Sequence, residues 1–248
     1  MKIILSPAKK MNVETDILPP SGLPEYLDRT EVILSWLRSK SFGELKKLWG
    51  CNDKIAEQNF ERLGHMDLRK NLTPAVLAYE GIAYQYMAPV VFENDHFEYV
   101  REHLRILSGF YGVLRAMDGV TPYRLEMQAK ASIDGNRDLY EFWGSRLYES
   151  VRDESGIIIN LASKEYSKCI EKYLTTADRY ITIVFCEKSG AKLVTKGTYA
   201  KMARGEMVRF MAENRIEDPE EMREFDRLGY LYREELSSDT EYIFERIT

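Results

Sequence analysis

The chain has 248 residues, of which 44% are hydrophobic and 30% charged, and its formal net charge is −5. This is the composition of an ordinary globular protein that can bury a sizeable core, and it excludes collagen-like, low-complexity and disordered chains. No run approaches 18 uncharged apolar residues, which excludes a helical membrane span, and the negative balance argues against coating nucleic acid over the whole surface.

The first predicted element is a strand, Lys2 to Leu5, too short and too strand-like for a secretory leader, so a cytoplasmic protein is expected. Asn12 to Pro24 carries Pro19, Pro20, Gly22 and Pro24 and reads as a loop inside one domain spanning residues 1–248. Pro24 opens a helix to about Arg38, with Leu27, Ile33, Leu34 and Leu37 on its buried side. Ser41 and Glu44 form a capping-box pattern for a short helix, and a second helix runs from Asp53 to about Leu63. Ala75 to Tyr79 is predicted as a strand, Asp95 to Leu107 as a helix striped by Phe97, Val100, Leu104 and Leu107, and Asp138 to Val151 as another helix.

Ile157-Ile158-Ile159 has the continuous apolar character of a strand buried on both faces. Ser163 caps the helix that follows. Tyr180 to Cys186 and Ala191 to Thr195 read as a hairpin turning at Ser189-Gly190, Thr198 to Asn214 as a strong helix, and Pro219 to Asp226 as a short one. Strands are expected at Tyr230 to Glu234 and Glu241 to Ile247. Interleaved helices and strands predict a mixed α/β (α+β) fold, a single domain with a central sheet and flanking helices.

Cys51, Cys169 and Cys186 are widely spaced with no CxxC pair, and neither a disulfide framework nor a zinc site is expected. His96 and His103 lie seven apart with Glu102 between them, which reads as a solvated helix face rather than a ligand set. No metal or cofactor is expected. Charge is patterned: Lys196 to Arg215 holds five basic and two acidic residues, and Ile216 to Asp226 six acidic and one basic.

Four stretches carry residue types suited to anions. Leu5 to Lys10, LSPAKK, puts Ser6, Lys9 and Lys10 at a strand end, combining a hydroxyl, backbone donors and positive charge. Leu104 to Met127 combines Gly109 and Gly112, where a tight turn and close backbone approach are expected, with Arg105, Arg115, Tyr123, Arg124 and Glu126. In the helix from Thr198, Lys201, Arg204, Arg209 and Arg215 fall opposite an apolar face, and Gly205 signals close approach of another element or a ligand. Leu45 to Phe60, LKKLWGCNDKIAEQNF, follows the grammar of a helix-hairpin-helix unit that meets DNA phosphates without reading sequence. Leu48 closes helix one, Gly50-Cys51-Asn52 form the hairpin, and Lys54 and Ala56 open helix two, with Lys46 and Lys47 alongside. Asn52 stands where a second glycine is usual, and Asp53 sits beside the phosphate position.

Five ordered motifs, ILSPAK, LSGFYGVLRAMDGVTPYRLEM, LYEFWG, INLASKEYSK and YAKMARGEMVRFM, give the chain a resemblance to the YaaA peroxide-stress-response family, also called DUF328 and UPF0246. The resemblance implies a single α/β domain with a positively charged cleft and a helix-hairpin-helix element. It also implies DNA binding and a role in limiting iron-driven damage during hydrogen peroxide exposure. By the same resemblance Ser6, Lys9, Arg124, Lys164, Lys201 and Arg204 belong near the cleft, and Gly50 and Lys54 to the hairpin. Glu80 and Ile82, flanking Gly81, depart from the basic and acidic residues expected there. The expected partners are DNA, bound through its phosphate backbone, and a small anionic ligand or nucleotide in the cleft; no membrane partner is expected. The alternative is an enzyme acting on a nucleotide or nucleic acid, with Ser6, Lys9, Tyr123, Arg124 and Glu126 in its site, while scattered cysteines and histidines give an iron or redox protein little support.

Overall fold

In the computed structural model, which describes residues 1–13, 16–190 and 192–247, the strand at the N-terminus becomes the middle of the sheet. In chain order the strands are β1 (Lys2–Leu5), β2 (Lys10–Met11), β3 (Thr73–Pro74), β4 (Tyr79–Glu80), β5 (Leu104–Ser108) and β6 (Gly112–Arg115). They continue as β7 (Gly119–Val120), β8 (Ile157–Asn160), β9 (Arg179–Ser189), β10 (Lys192–Val194), β11 (Tyr230–Tyr232) and β12 (Glu241–Arg246). Eight of them form one mixed sheet, ordered β11-β12-β9-β8-β1-β5-β6 with β10 folded back on β9. β2 pairs with β4 and β3 with β7 in two small ribbons.

β1 runs parallel to both neighbours, Ile3 lying opposite Leu104 of β5 and Ile159 of β8. A strand covered on both faces needs apolar side chains at every position, and Ile3, Ile4 and Leu5 are all buried. The chain leaves β1 toward β5 on one side, whereas it leaves β8 toward β9 on the other. Connections that diverge from adjacent parallel strands open a crevice beyond their carboxyl ends, and this is where α/β sheets bind ligands.

The helices are α1 (Leu27–Arg38), α2 (Phe42–Trp49), α3 (Asp53–His65), α4 (Ala75–Ala78), α5 (Ile82–Met87), α6 (Asn94–His103), α7 (Leu139–Trp143), α8 (Arg146–Val151), α9 (Lys164–Glu171) and α10 (Gly197–Glu213). α10 packs across α5 so closely that a Cβ on Gly205 would sit 1.8 Å from the carbonyl oxygen of Ala83. The approach signalled by that glycine is therefore made by another helix.

Several predicted elements change. Ala75 to Ala78 is a helical turn, α4, and only Tyr79 continues as a strand: its backbone N–H bonds run to the β6–β7 connection, Ala75 to Asp118 and Val76 to Ala116, instead of to a ladder. The predicted helix from Asp95 ends at His103, and Leu104 to Ser108 is β5. Gly109 and Gly112 consequently turn a β-hairpin, Ser108 pairing with Gly112, and do not end a helix. The helix over 138–151 is broken at Gly144, whose φ is +58°. His103 is buried, bonded through Nδ1 to the Met1 carbonyl at 2.9 Å and paired through Nε2 with Glu217 at 3.1 Å, so it is not a surface residue. Ala191, the first residue of one predicted strand, lies outside the described residues, as do Glu14 and Thr15 of the proline-rich loop; the remainder of that hairpin forms as β9 and β10. No helix among the described residues is long and apolar enough to cross a membrane.

Candidate functional site

Ser6 ends β1 and fastens the crevice. Its Oγ lies 3.1 Å from Ser163 Oγ and accepts the Ser163 backbone N–H at 2.8 Å, tying the end of β1 to the start of α9. Its carbonyl accepts the Tyr84 hydroxyl at 2.9 Å, tying the same point to α5. Between these three elements, the 123–126 segment and α10 lies a cavity of about 370 Å³. That is within the range of small-molecule sites.

The floor is rigid for identifiable reasons. Tyr123 is fully buried, hydrogen-bonded to Tyr79 at 2.8 Å and to Ser108 at 2.6 Å, and stacked on Phe110 with ring centroids 4.9 Å apart. Burial pushes its phenol up to about 12, so it remains a neutral hydrogen-bonding anchor. A Cβ on Gly109 would lie 2.7 Å from the Leu125 carbonyl, so only glycine lets the β5–β6 turn press against the segment that presents Arg124 and Glu126.

Five cations, Lys9, Lys10, Arg124, Lys201 and Arg204, line the cavity with three acids, Glu80, Glu126 and Glu165. Two cations are answered locally: Lys9 pairs with Glu126 at 2.5 Å and Lys10 with Glu80 at 2.5 Å. The other three have no acidic partner among the described residues. Arg204 is the most telling, since its Nε is buried without a hydrogen bond and burial alone lowers its pKa. Arg124 also has a buried, unbonded Nε, and its Nη2 makes one long hydrogen bond, 3.5 Å, to the carbonyl of Trp49. Glu165 is raised from the ordinary carboxyl range by burial, opposed by the Gln128 N–H that its Oε1 accepts at 3.2 Å, and raised further by the nearby charge of Glu126.

The chain's relatives are consistent with one another. Residues 1–236 match the family described as peroxide stress protein YaaA. A UPF0246 protein of Agathobacter rectalis is 72% identical over 246 residues, 99% of each chain. Others from Lachnoclostridium phytofermentans and Desulfitobacterium hafniense are 56% and 54% identical over 244 residues, covering 98% of this chain and 96% and 97% of theirs. The chain belongs to the YaaA peroxide stress family.

Within this YaaA-family fold, eight of the nine cleft residues expected from sequence meet at one cavity: Ser6, Lys9, Lys10, Tyr123, Arg124, Glu126, Lys201 and Arg204. Lys164 does not join them; its ammonium turns outward to Glu171 at 2.7 Å, and its neighbour Glu165 faces the cavity instead. Glu165 and Tyr166 were not singled out in the sequence, although INLASKEYSK contains both. One residue along a helix is a 100° rotation, and only tertiary packing decides which of two neighbours faces in. Arg209 and Arg215, read as one basic face with Lys201 and Arg204, are spent on Glu213 at 2.7 Å and Asp95 at 2.5 Å.

The candidate hairpin stands beside the cavity through Arg124. α2 ends at Trp49, Gly50 takes a left-handed conformation at φ +55°, and Asn52 caps α3 by accepting the Ile55 N–H at 3.0 Å. The capping box of Ser41 and Glu44 is formed. Lys46 is drawn onto Asp53. Lys47 and Lys54 are exposed and have no ionic partner among the described residues.

Proposed function

We propose that this YaaA-family protein acts in the cytoplasm during peroxide stress by binding DNA without reading its sequence. The hairpin, through Gly50, Asn52, Lys54 and Lys47, holds the phosphate backbone, and the basic cavity provides a second phosphate-binding region. Occupying the backbone in this way limits iron-driven oxidative damage to DNA.

The observation that carries this reading is Arg124, which lines the cavity and also reaches the Trp49 carbonyl one residue before Gly50. The two basic regions are thereby contiguous. In a chain of net charge −5, Arg124, Lys201 and Arg204 at the cavity and Lys47 and Lys54 at the hairpin have no acidic partner among the described residues, which leaves them available to a polyanion. Fluorescence anisotropy with a labelled duplex across a salt series tests the reading. Affinity is expected to fall steeply with salt. The double variant Lys54→Glu with Lys201→Glu is expected to lose binding while keeping its circular dichroism spectrum; unchanged affinity in that folded variant overturns the proposal.

A further inference from the structure

Cationic side chains explain why the cavity would attract a phosphate, and Glu126 and Glu80 answer Lys9 and Lys10, but Glu165 has no cationic partner among the described residues. The cavity's charges are sorted by element. Lys201 and Arg204 come from α10 and have no acidic partner, while Glu165 comes from α9 and Glu126 from the segment beside it. The walls between are largely apolar, built from Leu5, Ala8, Ile82, Ala83, Leu125 and Leu161. A phosphate alone would fill a small part of 370 Å³ and would be repelled by the unpaired carboxylate of Glu165.

We infer that the cavity binds one nucleotide, with its phosphate on Arg204 and Lys201 and the N–H edge of its base on Glu165 and Glu126. Each part of the cavity then has a use. The guanidinium of Arg204, half-buried, with its Nε unbonded and no counter-ion among the described residues, meets a dianion with which its planar fork can form paired, charge-assisted hydrogen bonds. The apolar walls cover the sugar and the ring faces, and the carboxyl groups, acceptors when ionised, receive amino or imino protons. Arg124 lines the same cavity and reaches the Trp49 carbonyl beside the hairpin. The same chemistry can come from a free nucleoside monophosphate or from a terminal or unpaired nucleotide of a strand held by the hairpin. Only the second source rests on the DNA-binding reading above.

Isothermal titration of the full chain with adenosine and guanosine 5′-monophosphates, inorganic phosphate, ribose 5-phosphate and adenosine separates the contributions. At least one nucleoside monophosphate is expected to bind one-to-one and at least tenfold tighter than phosphate, ribose 5-phosphate or adenosine. Arg204→Gln is expected to weaken that nucleotide tenfold or more. Glu165→Gln is expected to weaken the nucleotide without weakening phosphate, a split that a merely structural role would not produce. Lys54→Glu is expected to leave mononucleotide binding unchanged, so loss of duplex binding in that variant bears on the hairpin alone. A 5′-phosphorylated tetranucleotide that displaces the mononucleotide assigns the site to strand ends; one that fails to displace it assigns the site to free nucleotides. Absence of binding at millimolar concentration, equal affinity for phosphate and nucleotide, or an unchanged affinity in folded Arg204→Gln overturns the inference.

Discussion

The cavity and the hairpin both hold cations without acidic partners, and they hold them at different expense. Lys47 and Lys54 project into water, where a free ammonium is fully solvated and its freedom carries little information. Arg204 has given up solvent around its Nε and received no hydrogen bond in return. A buried polar atom without a partner is destabilising, and the proposed nucleotide is what would offset that cost. The lesson is that a missing partner means most where water is also missing.

Substitutions can set the two regions against each other. The largest contrast is between their glycines. Gly205→Ala drives a methyl into the Ala83 backbone and is expected to lower stability by about 3 kcal/mol, the upper end of overpacking effects. Gly50→Ala meets nothing within 4 Å and strains only a left-handed backbone, for about 1 kcal/mol. Urea denaturation of both variants measures the difference; equal losses would mean that the cavity wall tolerates movement of α5.

A buried carboxyl away from the cavity gives a pH test. Asp118 is buried with the Arg115 N–H at 2.8 Å as a partner, and burial raises its pKa from 3.8 to about 6. Between these values the folded state binds more protons than the unfolded one, so stability is expected to fall as pH rises from about 4 to about 6. The penalty is absent below that window and complete above it. Asp118→Asn, which keeps an acceptor for the N–H, is expected to flatten this segment of the stability curve and to be more stable than the parent at pH 7. An unchanged slope would remove Asp118 as its cause.

Smaller effects follow for the free cations. Arg204→Met is expected to stabilise the ligand-free protein by about 1 kcal/mol, because it removes a half-buried unpaired charge while keeping apolar bulk. Lys54→Met is expected to change stability by less than about 0.5 kcal/mol. Thermal denaturation of the two side by side sharpens the comparison, and a destabilised Arg204→Met would show that the guanidinium supports the fold.

Much of this arrangement is legible from sequence where local chemistry decides it. The isoleucine run of β8, the capping box of α2 and the Ser189-Gly190 turn all carry their reasons in neighbouring residues. The helix predicted past His103 fails for a physical reason. Leu104 and Leu107 continue a helical stripe by coincidence, and a strand buried on both faces accepts leucine at any position. The site was legible as a set of residue types, because hydroxyl, arginine and lysine near strand ends suit anions, but Glu165 in place of Lys164 depends on how α9 is rotated against the sheet. His103 can be buried because the Met1 carbonyl and Glu217 meet both ring nitrogens from distant parts of the chain.

The central position of β1 has a consequence for synthesis. Ile3 pairs with Leu104 on one edge and Ile159 on the other, so β1 is enclosed only once β8 has been made. At about 5–20 residues per second on the ribosome, its apolar edges wait many seconds for both neighbours, and α10 with Arg204 emerges later still. The nascent chain thus carries an unpaired apolar segment through more than half of its translation, and the cavity wall formed by α10 closes only after that. Slow folding from long-range pairing, together with dependence on chaperones during synthesis, is the expected outcome of placing the N-terminus at the centre of the sheet.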